Sequence, residues 1–168
     1  ISDKENNYVV GVFSKYECTL SYDSSHIVLV NPSNMGNMGT IIRTLTGFGL
    51  SDLAIISPGV DSFDPKVLRA SMGSIFRINF KYYDNFDVYK ESFSNRKFYA
   101  FMLDGAMTLK DVKHDSSALF SLVFGNEETG LDKSFSKIGT GVFIKHTDRI
   151  DSLNLTIAAG IAMYQFCS

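Results

Sequence analysis

The 168 residues fit one domain long enough to bury a core, and a chain 45% apolar and 20% charged is globular in composition rather than disordered. A net charge of −2 announces no global nucleic-acid binder, and no apolar run approaches the roughly 20 residues of a membrane-spanning helix. Cys18 and Cys167 stand at opposite ends and His26, His114 and His146 are scattered, a pattern without a disulfide framework or zinc-ligand spacing that calls for no metal and fits a reducing cytoplasm.

In chain order, ISDKENN reads as the end of a linker and the first residue is Ile1 rather than methionine, so an upstream domain is expected beyond one unit covering 1–168. YVVGVF (8–13) and HIVLVN (26–31) are predicted strands, followed by a helix over about 37–48. LAIIS (53–57) is the next strand, and a helix over about 64–72 has Pro65 in its first turn after Asp64. FRINF (76–80) precedes a helix over about 85–93, and KFYAFML (97–103) and LFSLVFG (119–125) follow as strands. A short helix near 131–137, a strand GVFIKH (141–146) and a helix over about 153–166 complete the chain. Several strands are unbroken apolar runs, as in a parallel sheet covered on both faces. The alternation predicts an α/β fold, a three-layer mostly parallel sheet with right-handed crossovers.

Ligands of such sheets sit beyond the carboxyl ends of the strands. Four segments there, NPSNMGNMG, LDGAM, GNEETGLD and HTDRIDSLN, would share one edge and make one site. No familiar phosphate loop is present: Gly36 and Gly39 give only Gly-x-x-Gly, and GNEETG lacks a following Lys-Ser/Thr. No Gly-x-Ser-x-Gly elbow and no histidine beside a nucleophile points to a hydrolase. Between Lys66 and Lys97, seven basic residues (Lys66, Arg69, Arg77, Lys81, Lys90, Arg96, Lys97) stand against three acidic ones (Asp84, Asp87, Glu91). The plainer reading is a solvated face; the sharper one is a phosphate-contacting surface.

Three motifs occur in order. NPSNMGNMGTIIRTLTGFG carries Asn-x-Gly-x-x-x-Arg at Asn37, Gly39 and Arg43; LVFGNEETGL carries Gly-x-Glu-x-x-Gly at Gly125, Glu127 and Gly130; IDSLNLTIAAGIAMYQF carries Ser152, Leu153 and Asn154 before an apolar, small-residue helix. Together they resemble the SpoU, or TrmH-type, class of SPOUT RNA methyltransferases, over about His26 to Cys167. DSFDPKVLRASMGSIFRI is also similar to that class, especially to its ribosomal-RNA members. The resemblance implies a C-terminal deep trefoil knot, S-adenosylmethionine bound in the knot, methyl transfer to a ribose 2′-hydroxyl of RNA (ribosomal before transfer RNA) and a homodimer. The other reading is a non-catalytic knotted module for RNA binding or ribosome assembly.

Such a transfer needs position and charge stabilisation, because the methyl donor is already activated and a ribose hydroxyl is a poor nucleophile. Arg43 can grip the phosphate beside the target ribose and stabilise the developing oxyanion; alone, it could equally be a surface ion-pair residue. Asn37 can hold the loop backbone, the Glu127 carboxylate or the substrate, or simply cap a helix. Glu127 could fix Asn37 or Arg43. Ser152 and Asn154 could cap the last helix, and the resemblance places both in the active site, Asn154 near the methyl-transfer centre. For the cofactor it implies Leu103, Asp104, Gly105, Gly125, Asn126, Gly130, Ile144 and Leu153; Met102, Ile144 and Leu153 are also readable as core. The class often has Ile-Pro-Met where this chain has Ile144, Lys145 and His146, so the cofactor loop departs from it there. Spacing to Arg43 selects Asn37 over Asn34 in the doubled Asn-Met-Gly, with Pro32 and Ser33 as the turn that delivers it. The last helix is apolar nearly all round, which demands burial in the core or against a partner subunit.

Overall fold

The unbroken apolar runs of the sequence become the interior of one parallel sheet in the computed structural model, which describes residues 11–115 and 117–168. In chain order the elements are β1 (His26–Val30), α1 (Met35–Gly47), β2 (Asp52–Ile56), α2 (Pro65–Ser71), β3 (Asn79–Tyr83), α3 (Phe86–Ser92), β4 (Lys97–Phe101), β5 (Met107–Thr108), β6 (Phe120–Phe124), β7 (Thr140–Phe143) and α4 (Leu155–Cys167). The strands lie in the order β3-β2-β1-β6-β4-β7-β5, every adjacent pair parallel.

Alternate residues of each strand serve opposite faces. Ile27 and Leu29 of β1 join Leu53, Ile55 and Leu122 in a core with α1, α2 and α4, whereas Val28, Ala54 and Val123 face the cluster of Phe86, Tyr89, Phe93 and Phe135. Both faces are therefore buried, which is why the strands read as continuous apolar runs. Helix α1 buries Met38, Ile41, Ile42 and Leu45, and Gly39 lets α2 approach it: a Cβ there would stand 2.6 Å from the Val67 carbonyl oxygen and from the Ala70 Cβ. Helix α4 buries Ala159, Ala162, Met163 and Phe166 but leaves Ile157, Ile161 and Tyr164 on an open face. No helix among the described residues is long and apolar enough to cross a membrane.

The amino ends of the central strands hold a buried polar network. His26 donates from Nε2 to the Ser21 carbonyl (2.8 Å) and accepts at Nδ1 from the Tyr89 hydroxyl (2.9 Å), which in turn takes the Ser121 hydroxyl proton (2.7 Å). Burial first, then the neighbouring Arg96 charge, pushes the His26 pKa down to about 4, so the ring is neutral near pH 7. Arg96 donates to the carbonyls of Ser24 (2.6 Å) and Tyr22 (2.7 Å) and lies over the Phe93 ring.

That burial corrects the single basic surface expected between Lys66 and Lys97. Arg96 is a structural cation, Lys81 lies over the Tyr83 ring, and Lys97 opens β4 at the sheet's amino edge. The strand expected at 76–80 begins later: residues Ser74–Arg77 form a 3-10 turn, because Ile75 folds inward to the core, and β3 starts at Asn79. The helix expected near 131–137 is a 3-10 turn, Lys133–Lys137, opened by the Asp132 side chain accepting from the Ser134 N–H. The strand expected at 8–13 falls partly outside the described residues, and 11–13 carry no strand.

Candidate active site

The carboxyl ends of β1, β6, β4 and β7 are adjacent in the sheet, so the loops that follow them share one edge. The loop after β6 is closed on itself. The Asn126 side chain accepts from the Glu128 (2.9 Å) and Thr129 (3.2 Å) N–H groups, and its backbone carbonyl accepts from the Gly130 N–H at 2.9 Å. Gly130 turns with φ 68°, a conformation open to glycine, and returns the chain so closely that a Cβ on Gly125 would stand 2.2 Å from the Gly130 carbonyl carbon. The loop is also tied sideways, because Asn126 Nδ2 donates to the Asn31 carbonyl at 2.8 Å.

Glu127 thereby reaches the turn between β1 and α1. Its Oε2 accepts from the Ser33 N–H (3.1 Å) and hydroxyl (2.8 Å), and its Oε1 accepts from the Asn34 N–H (3.2 Å) and Asn37 Nδ2 (3.3 Å). Burial alone would raise this carboxyl's pKa, but the donations from Ser33 and Asn37 outweigh it and hold the pKa below the ordinary value. Asn34 caps α1, its Oδ1 accepting from the Asn37 N–H at 3.0 Å. Both asparagines of the doubled triplet therefore have structural work, the first as a cap and the second as a link to Glu127. Ser33 was legible only as a turn residue; its partner lies 94 residues away.

Beside this cluster is a cavity of about 470 Å³, ample for a nucleoside-sized ligand. Leu103, Asp104, Gly125, Asn126, Gly130, Ile144 and Leu153 line it, with Glu127 and Ser152, and so do Met102, Thr129, Lys133 and His146, which sequence reasoning left out of the site. Gly105 does not line it but is needed for its wall: a Cβ there would stand 2.6 Å from the Val142 carbonyl carbon, so only glycine lets the loop after β4 lie on β7. His146 donates from Nδ1 to the Ile144 carbonyl at 2.9 Å, which folds the non-proline segment back on itself. Asn154 lies off the cavity lining and caps α4, accepting from the Thr156 N–H (2.8 Å) and hydroxyl (2.6 Å). Arg43 also lies off the lining; it is exposed on α1 and makes no hydrogen bond or ion pair among the described residues.

The SpoU rRNA Methylase family matches residues 24–164. A Listeria innocua protein named for tRNA (cytidine(34)-2′-O)-methylation is 33% identical over 145 residues, covering 84% of this chain and 85% of that protein. The 23S rRNA (guanosine(2553)-2′-O)-methyltransferase RlmP of Bacillus subtilis is 30% identical over 132 residues, covering 77% of this chain but 52% of that enzyme, so the chain spans about half its length. The AdoMet-bound rRNA methyltransferase of Sinorhizobium meliloti superposes with a TM-score of 0.78 at 28% identity, covering 90% of this chain and 57% of that one.

Proposed function

The chain belongs to the SpoU rRNA Methylase family, and we propose that it transfers a methyl group from S-adenosylmethionine to a ribose 2′-hydroxyl of RNA, ribosomal RNA in the first place. The observation that carries this reading is the cavity beside Glu127, built by close glycine packing at the strand ends. The cavity suits the cofactor: apolar Phe124, Val142, Leu153 and Leu155 line it together with polar Asp104, Asn126 and Ser152, as an adenosine with an amino-acid tail requires. Gly125 and Gly130 permit backbone approach, and Leu103, Asp104, Ile144 and Leu153 would hold the nucleoside. When bound, the cofactor supplies an activated methyl.

The chain's own residues supply the rest. Arg43 presents up to five N–H donors without an internal acceptor, free to grip the phosphate flanking the target ribose and to stabilise the oxyanion. Glu127 locks the start of α1 through Ser33, Asn34 and Asn37, which sets the helix carrying Arg43 relative to the cavity. Ser152 faces the cavity directly, and Asn154 orients α4 through its cap.

In this reading the enzyme acts as a homodimer with a knotted C-terminus. Ile157, Ile161 and Tyr164 recur at helical spacing on the open face of α4, beside α1, and a second copy would cover them. Strand β7 lies between β4 and β5 although it follows both in sequence, and the loop joining those two strands packs on β7 through Gly105, which supports a C-terminus threaded through that loop.

Ribosomal RNA is supported by the 23S enzymes among the relatives and by the resemblance of DSFDPKVLRASMGSIFRI to that subgroup. Transfer RNA is favoured by one observation, the near full-length match to the Listeria protein. Mapping 2′-O-methylated nucleotides in ribosomal and transfer RNA from cells with and without the gene decides between them. Calorimetric titration with S-adenosylmethionine tests the reading itself; no binding would sink it.

A further inference from the structure

The segment from Pro65 to Arg77, PKVLRASMGSIFR, holds three cations and no carboxylate. Helix α2 and the 3-10 turn after it lay this segment along α1, the helix that presents Arg43. Lys66, Arg69 and Arg77 are all exposed and none makes an ion pair among the described residues. Two large apolar side chains stand out between them. Met72 is 72% exposed, and Phe76 keeps 52% of its surface open although Phe13 packs edge-on against one side of its ring.

Met72 carries a second cost. It ends α2 in the left-handed conformation, φ 49°, which is unfavourable for any residue with a Cβ and which glycine adopts freely. The turn itself serves to end α2, its N–H donating to the Arg69 carbonyl, but a side chain there need not be large and apolar, and one so exposed gains little within the chain; such outliers gather at sites that bind something else. Bases have apolar faces that stack or pack on such side chains, and their phosphates match the flanking guanidinium groups.

We infer that Met72 and Phe76, flanked by Lys66, Arg69 and Arg77, form a platform for single-stranded RNA beside the ribose held at Arg43. Unpaired bases pack on the sulfur and the ring while Arg69 and Arg77 hold adjacent phosphates. The inference rests on the methyltransferase reading and adds to it where the RNA runs. The four cations of the former basic stretch that lie elsewhere, Lys81, Lys90, Arg96 and Lys97, take no part.

The test is fluorescence anisotropy of a short, labelled, single-stranded RNA of mixed sequence across a salt series, with cofactor affinity measured on each protein. The double variant Arg69→Ala/Arg77→Ala should bind RNA at least tenfold more weakly at low salt. Its log-log salt slope should shallow by about 1.4, from the loss of two phosphate contacts on a single strand at about 0.7 each. Met72→Gly removes the side chain and relieves the left-handed backbone, so it should keep or raise the thermal midpoint while weakening RNA binding about fivefold. Cofactor affinity should stay unchanged throughout. RNA affinity within twofold of the parent in both variants, with an unchanged slope, overturns the platform, and so does a parent that fails to bind the RNA. A change of sedimentation without a change in RNA affinity makes the surface a subunit contact and overturns it too. Loss of cofactor binding by the parent would defeat the methyltransferase reading separately.

Discussion

Replacing Glu127 by glutamine keeps the side chain's shape and removes its charge. All four groups that reach the carboxylate are donors: the Ser33 N–H and hydroxyl at 3.1 and 2.8 Å, the Asn34 N–H at 3.2 Å and Asn37 Nδ2 at 3.3 Å. An amide offers one acceptor, so its oxygen can serve the Ser33 pair while its NH2 meets the other two donors head-on. Hydrogen bonds to a charged group contribute about 1.5–3 kcal/mol each. The two lost here are long and the site is half-exposed, so a net loss of about 1–2 kcal/mol is reasonable. For a domain of this size that lowers the thermal midpoint by about 3–6 °C.

The pH dependence gives the sharper readout. The Glu127 pKa is held below its ordinary value in the folded protein, so its contribution is present above the unfolded pKa and disappears as pH falls through the folded one. The gap between parent and Glu127→Gln, followed by calorimetry, should be full near pH 7 and should narrow as pH falls below the unfolded carboxyl's pKa and the folded parent protonates in turn. A variant as stable as the parent at pH 7, or a gap that widens in acid, refutes the reasoning that the carboxylate organises this turn.

Gly125→Ala places a Cβ 2.2 Å from the Gly130 carbonyl carbon and 2.4 Å from the Leu131 nitrogen, all backbone, so it should abolish detectable cofactor binding in a calorimetric titration; parent-like affinity would show that the loop yields easily. Asn34→Ala should cost about 1 kcal/mol of stability through the lost cap, with most activity retained. Asn37→Ala should instead lower methyl transfer, and equal activity losses would mean the two asparagines are not divided in this way. Arg43→Ala should abolish methyl transfer with cofactor affinity preserved, because Arg43 does not line the cavity; a parent-like rate removes it from the mechanism. Burial, then Arg96, lowers the His26 pKa from 6.5 to about 4, so the unfolded chain takes up the proton first and stability falls as pH drops from 6.5 to 4, by up to about 3 kcal/mol. Urea denaturation of the parent and His26→Gln across that window should show the slope reduced in the variant, with the like-signed shift at His114 common to both.

The apolar runs determined where most strands lie, because a strand buried on both faces must be apolar throughout, and the structure keeps them within a few residues of expectation. Helix starts were also local matters: Asp64 before Pro65 and Asn85 before Phe86 accept the N–H groups that each first turn leaves unpaired. The three motifs, in their order along the chain, carried the family resemblance and with it the residues expected at the site. Only the tertiary structure decided which runs became neighbours. Apolar strands are interchangeable in sequence, and long-range packing placed β6 against β1, which brings Glu127 to Ser33 and Asn34. The same packing buried Arg96 among carbonyls while leaving Arg69 and Arg77 in solvent, although all three belong to one basic stretch. Composition counted those charges alike; burial separated them, because a cation leaves water only where fixed acceptors replace its hydration.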